Sequence, residues 1–238
     1  GYLERNAAGS RRGHAGAEQV AVSGFIAAAF RHRTSRAGDP LLHTHVLVAN
    51  VARAVDDGRW RTLDGRRLYL HAKTAGYLYQ AHLRHELTRR LGVNWQPVVN
   101  GCADLAGVPR EVIEAFSQRR AEILEAMAER GESSAQAAQT ATLATRKAKQ
   151  YGVDATRLRD GWTARAAEVG LEADTVAALV DRDRAPRPAH VAGAFEQLAG
   201  PRGLTAHAST FTRRDVVQAW CAQLGNGADV ADVEALAD

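Results

Sequence analysis

A chain of 238 residues has room for one or two domains, and 45% hydrophobic residues suffice for a buried core. No apolar run reaches the roughly 18–20 residues of a membrane span, no secretory signal is visible, and Cys102 and Cys221 lack metal or redox spacing. That sets aside membrane insertion and a disulfide scaffold, and leaves the expectation of a cytoplasmic protein with two buried free thiols.

The net charge of +4 is uneven, with 15 Lys/Arg against 8 Asp/Glu in residues 1–106 and 16 against 19 in residues 107–238. A basic first half fits a polyanionic partner, most commonly nucleic acid, although freely used arginine gives the same count. The start at Gly1 rather than Met, and the end at Asp238 without a stop signal, read as cuts in a longer chain.

In chain order, residues 2–8 read as the end of a helix. Residues 25–30 and 42–55 are apolar and strand-like, with a tight turn at Asp57-Gly58 before residues 59–63. After a second turn at Asp64-Gly65, Leu70, Leu78, Leu83, Leu87 and Leu91 recur at helical spacing, predicting a helix over 67–91 that Gly92 stops. Residues 93–105 read as extended, and Pro109 suits a helix's first turn. Up to about Gly170 the composition predicts three or four helices, broken at Gly131 and Gly152. Two prolines within residues 182–188 predict a linker. Residues 190–198, 212–224 and 230–237 are again helical, with Thr212 as a cap. Strands first and helices after make the fold α+β, an antiparallel sheet followed by a mainly helical region, with a domain over 1–185 and a second from 189 to 238.

The chemistry concentrates in Phe30-Arg-His32-Arg-Thr-Ser-Arg36-Ala-Gly-Asp39-Pro40-Leu-Leu-His43-Thr44-His45. His43 and His45 are two apart on a strand and project from one face. His32 ends the preceding strand, and Gly38, Asp39 and Pro40 return the chain antiparallel. Facing strands bring the three imidazoles within reach of one ion, and three neutral ligands leave an open position for polarising a phosphate oxygen. Imidazoles suit Zn, Ni, Co or Mn better than Ca; the expected cofactor is a divalent ion, Zn, Mn, Mg or Ni. An H-x-H pair also occurs in small-molecule metalloenzymes, so the spacing alone does not fix the reaction. His14, His71, His82, His85, His190 and His207 read as surface or satisfied core residues.

The string His32-x-Thr34-Ser35-Arg36-x-x-Asp39-Pro40-x-Leu42-His43-Thr44-His45, followed by Val48-Ala49-Asn50, resembles the three-histidine motif of the TrwC/TraI (MobF) family of conjugative relaxases, which are HUH endonucleases. The resemblance continues through Gly58-Arg-Trp60, Leu63-Asp-Gly65, Thr74-Ala-Gly76-Tyr77-Leu-Tyr79-Gln80, Leu83-Arg-His-Glu86-Leu87, Gly107-Val-Pro109 and Ile113-Glu-Ala-Phe116-Ser117-x-Arg119, to about residue 185. Leu204-Thr205 together with residues 209–216 is similar to the lead-in of the helicase domain that follows in these proteins. The resemblance implies a five-stranded antiparallel sheet bearing the active site and helices that clasp DNA. It implies metal-dependent nicking and transesterification of single-stranded or hairpin DNA at an origin of transfer, alongside other conjugation proteins. His32, His43 and His45 are then the metal ligands. The nucleophilic tyrosine and an acidic residue that orients a ligand histidine are expected upstream of Gly1. Arg33 stands where relatives often carry an acid, and no ATP-binding phosphate loop occurs.

Arg31, Arg33 and Arg36 flank the histidines as candidate phosphate contacts. Asp39 reads as a turn former, or as a hydrogen-bond partner of a ligand histidine. Tyr77 and Tyr79 fit core packing in the long helix. Arg146, Lys147, Lys149, Arg157 and Arg159 form a basic helical patch, for DNA or for solubility. The rival reading is a non-catalytic DNA-binding module with a vestigial metal site.

Overall fold

The computed structural model describes residues 1–148, 152, 154–181, 191–206 and 208–238. Its described strands lie within the first 61 residues and its longer helices after them, so the chain is α+β. Helix α1 (Tyr2–Ala7) leads into strands β1 (Ser10–Arg12) and β2 (Glu18–Val20), antiparallel with Ser10 opposite Val20. Strands β3 (Ala27–Thr34) and β4 (Pro40–Val48) form a second ladder, and β5 (Ala52–Arg53) with β6 (Trp60–Arg61) a third around the Asp57-Gly58 turn.

Three two-stranded ladders thus stand, among the described residues, where the resemblance implies one five-stranded sheet. Single bridges, Ser10 to Leu63 and Val22 to Ala54, continue the pairing between short strands. Gly13, at φ +79°, lies in the connection between β1 and β2, and Gly24, at φ +128°, interrupts the chain between β2 and β3, where an extended L-residue does not go. The expected run over 42–55 is likewise two strands.

Helix α2 (Gly65–Leu91) starts two residues before the expected Arg67, because the Asp64 carboxylate accepts from the Arg66 amide at 3.2 Å. Gly92, at φ +65°, ends it as expected. Its buried stripe differs from the leucine series: Thr74, Leu78, Ala81, Arg84 and Thr88 are buried, while Leu70 is exposed. Tyr77 packs against the core, but Tyr79 is 59% exposed, so the core reading of Tyr79 is corrected. Residues 93–105 hold two antiparallel bridges around a turn at Asn100 and Gly101. Cys102 at its end is exposed, against the expectation of two buried thiols; Cys221 is buried.

The helices that follow are α3 (Arg110–Ala115), α4 (Gln118–Ala128), α5 (Ala135–Ala144), α6 (Ala155–Glu168), α7 (Ala173–Ala178), α8 (Val191–Ala199), α9 (Arg213–Gln223) and α10 (Val230–Leu236). Thr212 caps α9 as expected, its amide and hydroxyl both donating to Asp215 at 2.8 Å. The expected linker at 182–188, together with Lys149, Tyr151, His190 and His207, lies outside the described residues.

The chain divides into two compact units. The first comprises Gly1–Ala28, Leu47–Ala106 and Leu179–Asp238; the second comprises Ala29–Val46 and Gly107–Ala178. In the first, α1, α9 and α10 pack on α2 around Leu78, Ala81, Val217, Trp220, Cys221 and Val233. In the second, α4 and α5 close a small core of Met127, Ala137 and Ala141. Among the described residues no helix is long and apolar enough to cross a membrane.

Candidate functional site

The second unit holds the histidines. His32 lies on β3 and His43 and His45 on β4, and the turn between the strands is closed by Ser35 N–H donating to the Asp39 carbonyl at 2.9 Å. Gly38 takes φ +83° within that turn, a conformation few side chains tolerate. The imidazole ring centres of His32, His43 and His45 are 5.3, 4.8 and 5.0 Å apart, pair by pair. His43 Nδ1 is 2.9 Å from the Leu41 carbonyl. A carbonyl only accepts, so Nδ1 carries the proton and Nε2 keeps its lone pair, the tautomer a metal-ligating histidine needs.

Among the described residues no three His, Cys, Asp or Glu side chains form a finished ligand set. The rings are gathered by their centres without completing a ligand set. The outer torsion of histidine is broad and roughly two-fold, so re-aiming a nitrogen costs little. The donor set of three neutral imidazoles, one with its tautomer fixed by a carbonyl, fits a divalent transition ion better than Ca.

These rings open into a cavity of about 610 Å³, also lined by Thr34, Ser35, Arg36, Leu41, Arg119 and Arg146. No carboxylate lines it among the described residues, so its electrostatic character is positive. Arg36 Nη1 donates to the Lys147 carbonyl at 2.9 Å. Arg31 and Arg33 alternate with His32 along β3 and so point to the opposite face, away from the imidazoles. Of the three flanking arginines, then, Arg36 alone lines this cavity among the described residues.

Arg119 is held rigidly. Its Nη1 donates to the Thr145 carbonyl at 3.0 Å and hydroxyl at 2.9 Å, and its Nη2 to the Thr142 carbonyl at 2.8 Å, placing a cation at the carbonyl end of α5. Glu122 joins it at 3.1 Å. Hydrogen bonding from Lys147, and then from Arg119, holds the Glu122 carboxyl below its ordinary range. The expected basic helical patch is dispersed: Arg157 and Arg159 lie on α6, while Arg146 and Lys147 follow the end of α5.

Asp39 is 1% exposed. Its carboxylate accepts from the Ser35 hydroxyl at 3.0 Å, the Arg119 amide at 3.2 Å and Arg165 Nη1 at 3.2 Å. It is a turn former, as expected, with partners that the chain order did not suggest. Arg165 and Trp162 were not singled out in the sequence. Arg119 stood only within the family-like string, and Arg146 only in the basic run.

The sequence profile of the family described as TrwC relaxase matches residues 1–169. Over 218 residues the chain is 33% identical to the multifunctional conjugation protein TraI of Escherichia coli, an alignment covering 84% of this chain and 12% of that protein. The chain therefore spans about 12% of the length of this curated relative. Among solved structures it is similar to the conjugative relaxase TrwC in complex with OriT DNA, metal-free, with TM-score 0.64 and 34% identity over 71% of this chain and 61% of that one. The metal-bound structure of TrwC with OriT DNA gives TM-score 0.63 and 34% identity over 71% and 60%.

Proposed function

Since this chain belongs to the TrwC relaxase family, we propose that it is part of a relaxase that nicks and transesterifies single-stranded DNA at an origin of transfer. The observation that carries this reading is the gathering of His32, His43 and His45 within about 5 Å of one another, in a cavity shared with Arg36, Arg119 and Arg146. The solved TrwC relatives, with OriT DNA and in metal-bound form, support the substrate class and the binding of an ion.

His32, His43 and His45 are the residues that would hold a divalent ion, with Zn, Mn, Mg and Ni as the candidates. When bound there, such an ion supplies Lewis acidity toward a phosphate oxygen. The chain's own part is to present and neutralise the backbone. Arg36, Arg119 and Arg146 offer a positive wall for phosphates, and the Leu41 carbonyl keeps His43 in one tautomer. No tyrosine among the described residues lines the histidine cavity, and none is assigned as nucleophile: the Tyr2 hydroxyl bonds His71 Nδ1 at 2.9 Å, and Tyr77 packs against the core. We place the nucleophile upstream of Gly1 and read residues 189–238 as the lead-in to a helicase-type region. The working compartment is the cytoplasm, alongside other conjugation proteins.

The test is covalent capture on a denaturing gel, using labelled single-stranded origin DNA. The 238-residue chain is expected to retain the oligonucleotide weakly and to form no adduct. A chain extended upstream to the family's tyrosine is expected to give a divalent-ion-dependent adduct that His43→Ala abolishes. An adduct from the 238 residues alone, mapped to one of their own tyrosines, overturns the assignment of the nucleophile.

A further inference from the structure

The turn between the two histidine-bearing strands is tied to two helices largely through one carboxylate. Within the turn, the Ser35 hydroxyl donates to Asp39 while its oxygen accepts from the Ala37 and Asp39 amides at 3.2 and 3.1 Å. Beyond the turn, Asp39 Oδ2 accepts from the Arg119 amide, in the first turn of α4. That helix lacks its own cap, because the Ser117 hydroxyl donates back to the Ile113 carbonyl at 2.6 Å. Asp39 thus caps α4 from 80 residues away in sequence. From α6, Arg165 reaches Asp39 Oδ1 and Trp162 Nε1 donates to the Gly38 carbonyl at 2.8 Å. Three residues apart, Trp162 and Arg165 share one helix face and grip consecutive turn residues.

Past this anchor β4 is held loosely. Leu42, Val46 and Leu47 are 72%, 58% and 63% exposed, so little packing restrains the strand. His43 lies four residues along it, about 13 Å of strand from Asp39. A tilt of roughly 10° at the turn would swing His43 by about 2 Å, several times the width of a hydrogen-bond distance window of about 0.5 Å. The hairpin would carry its three imidazoles together, so their mutual spacing would survive. Their distance from Arg119 and Arg146, which belong to other elements, would not.

We propose that Asp39 is a positioning residue: by capping α4 and pairing with α6 it holds the imidazole cluster against the arginine wall of the same cavity. This rests on the nucleic-acid reading of that cavity.

The experiment has two arms on the full 238-residue chain. In the ligand-free arm, nuclear magnetic resonance compares wild type with Asp39→Ala and Asp39→Asn. Asp39→Ala is expected to shift the Trp162 indole N–H and the His43 and His45 ring signals, while the Trp220 indole of the first unit stays in place. Asp39→Asn, which keeps one acceptor oxygen but not the charge, should fall between. Unmoved histidine rings would overturn the proposal.

In the second arm, a labelled single-stranded oligonucleotide is titrated at fixed salt, with and without Mn²⁺. Asp39→Ala is expected to weaken binding about tenfold but to weaken it less than about twofold further when Arg146→Ala is already present. A merely structural residue would give additive losses, and additivity overturns the proposal. If wild type fails to bind the oligonucleotide, the nucleic-acid reading of the cavity falls and the ring signals alone decide the anchor.

Discussion

Arg84 Nη2 lies 2.7 Å from the Cys221 carbonyl, joining the middle of α2 to the last turn of α9. Arg84 is 1% exposed, and its described hydrogen bonds all end on backbone carbonyls, those of Gly101, Cys221, Leu224 and Gly225. Burial lowers its pKa from the ordinary value. The partial negative charge where α9 leaves carbonyls unsatisfied takes the place of a carboxylate partner.

Arg84→Met is therefore expected to destabilise the fold by about 3 kcal/mol, because it keeps volume but strands several buried acceptors. Arg84→Lys should recover less than half of that, since one ammonium cannot span the same fork. Urea unfolding followed by circular dichroism measures both. A loss below about 1 kcal/mol for Arg84→Met would mean that water satisfies these carbonyls.

The two thiols should separate cleanly. Cys102 is exposed, whereas Cys221 is 0% exposed, with burial pushing its pKa up to about 12. A disulfide reagent at pH 8 is expected to titrate one thiol in the native chain and the second only on unfolding. Two fast equivalents in wild type, or one fast equivalent in Cys102→Ser, would contradict the packing of α9.

Stability should fall with acid through His71. Burial, and then the charges of Arg214 and Arg67, holds its folded pKa below the ordinary value, while Nδ1 meets the Tyr2 hydroxyl. The unfolded chain takes up this proton near pH 6.5 and the folded chain resists it, so the contribution is intact above about pH 6.5 and is lost as pH drops toward the folded pKa. Burial raises the Tyr2 pKa, so the phenol stays neutral across this range. The gap in urea midpoint between wild type and His71→Phe is expected to narrow between pH 7.5 and pH 5. A gap independent of pH would remove His71 from the acid response.

Ion binding should depend on three histidines and no others. His32→Ala, His43→Ala and His45→Ala are each expected to weaken uptake of Mn²⁺ or Ni²⁺ in calorimetric titration by tenfold or more, on the order of 1.4 kcal/mol. His14→Ala and His85→Ala should not. Equal stoichiometry in wild type and the triple alanine variant would sink the metal assignment.

Much of this chain follows from local rules. Alternation along a strand puts His43 and His45 on one face, Gly38 with Asp39 and Pro40 closes the hairpin that returns toward His32, and Asp64 and Gly92 bound the long helix. The family-like string from His32 to His45 likewise needs no third dimension to be seen. What escaped the sequence depends on contacts between distant segments. The buried stripe of α2 runs through Thr74, Ala81, Arg84 and Thr88, which no apolar pattern selects, because α9 brings the Cys221 carbonyl that accepts from Arg84 and the Gln218 amide that donates to Thr74. Arg31 and Arg33 read as site residues by proximity in sequence, yet strand alternation turns them to the other face. Asp39 looked like a turn former of purely local reach. Only the folded unit sets Arg119 and Arg165 beside it, since a carboxylate finds its partners by distance in space, which chain order does not encode.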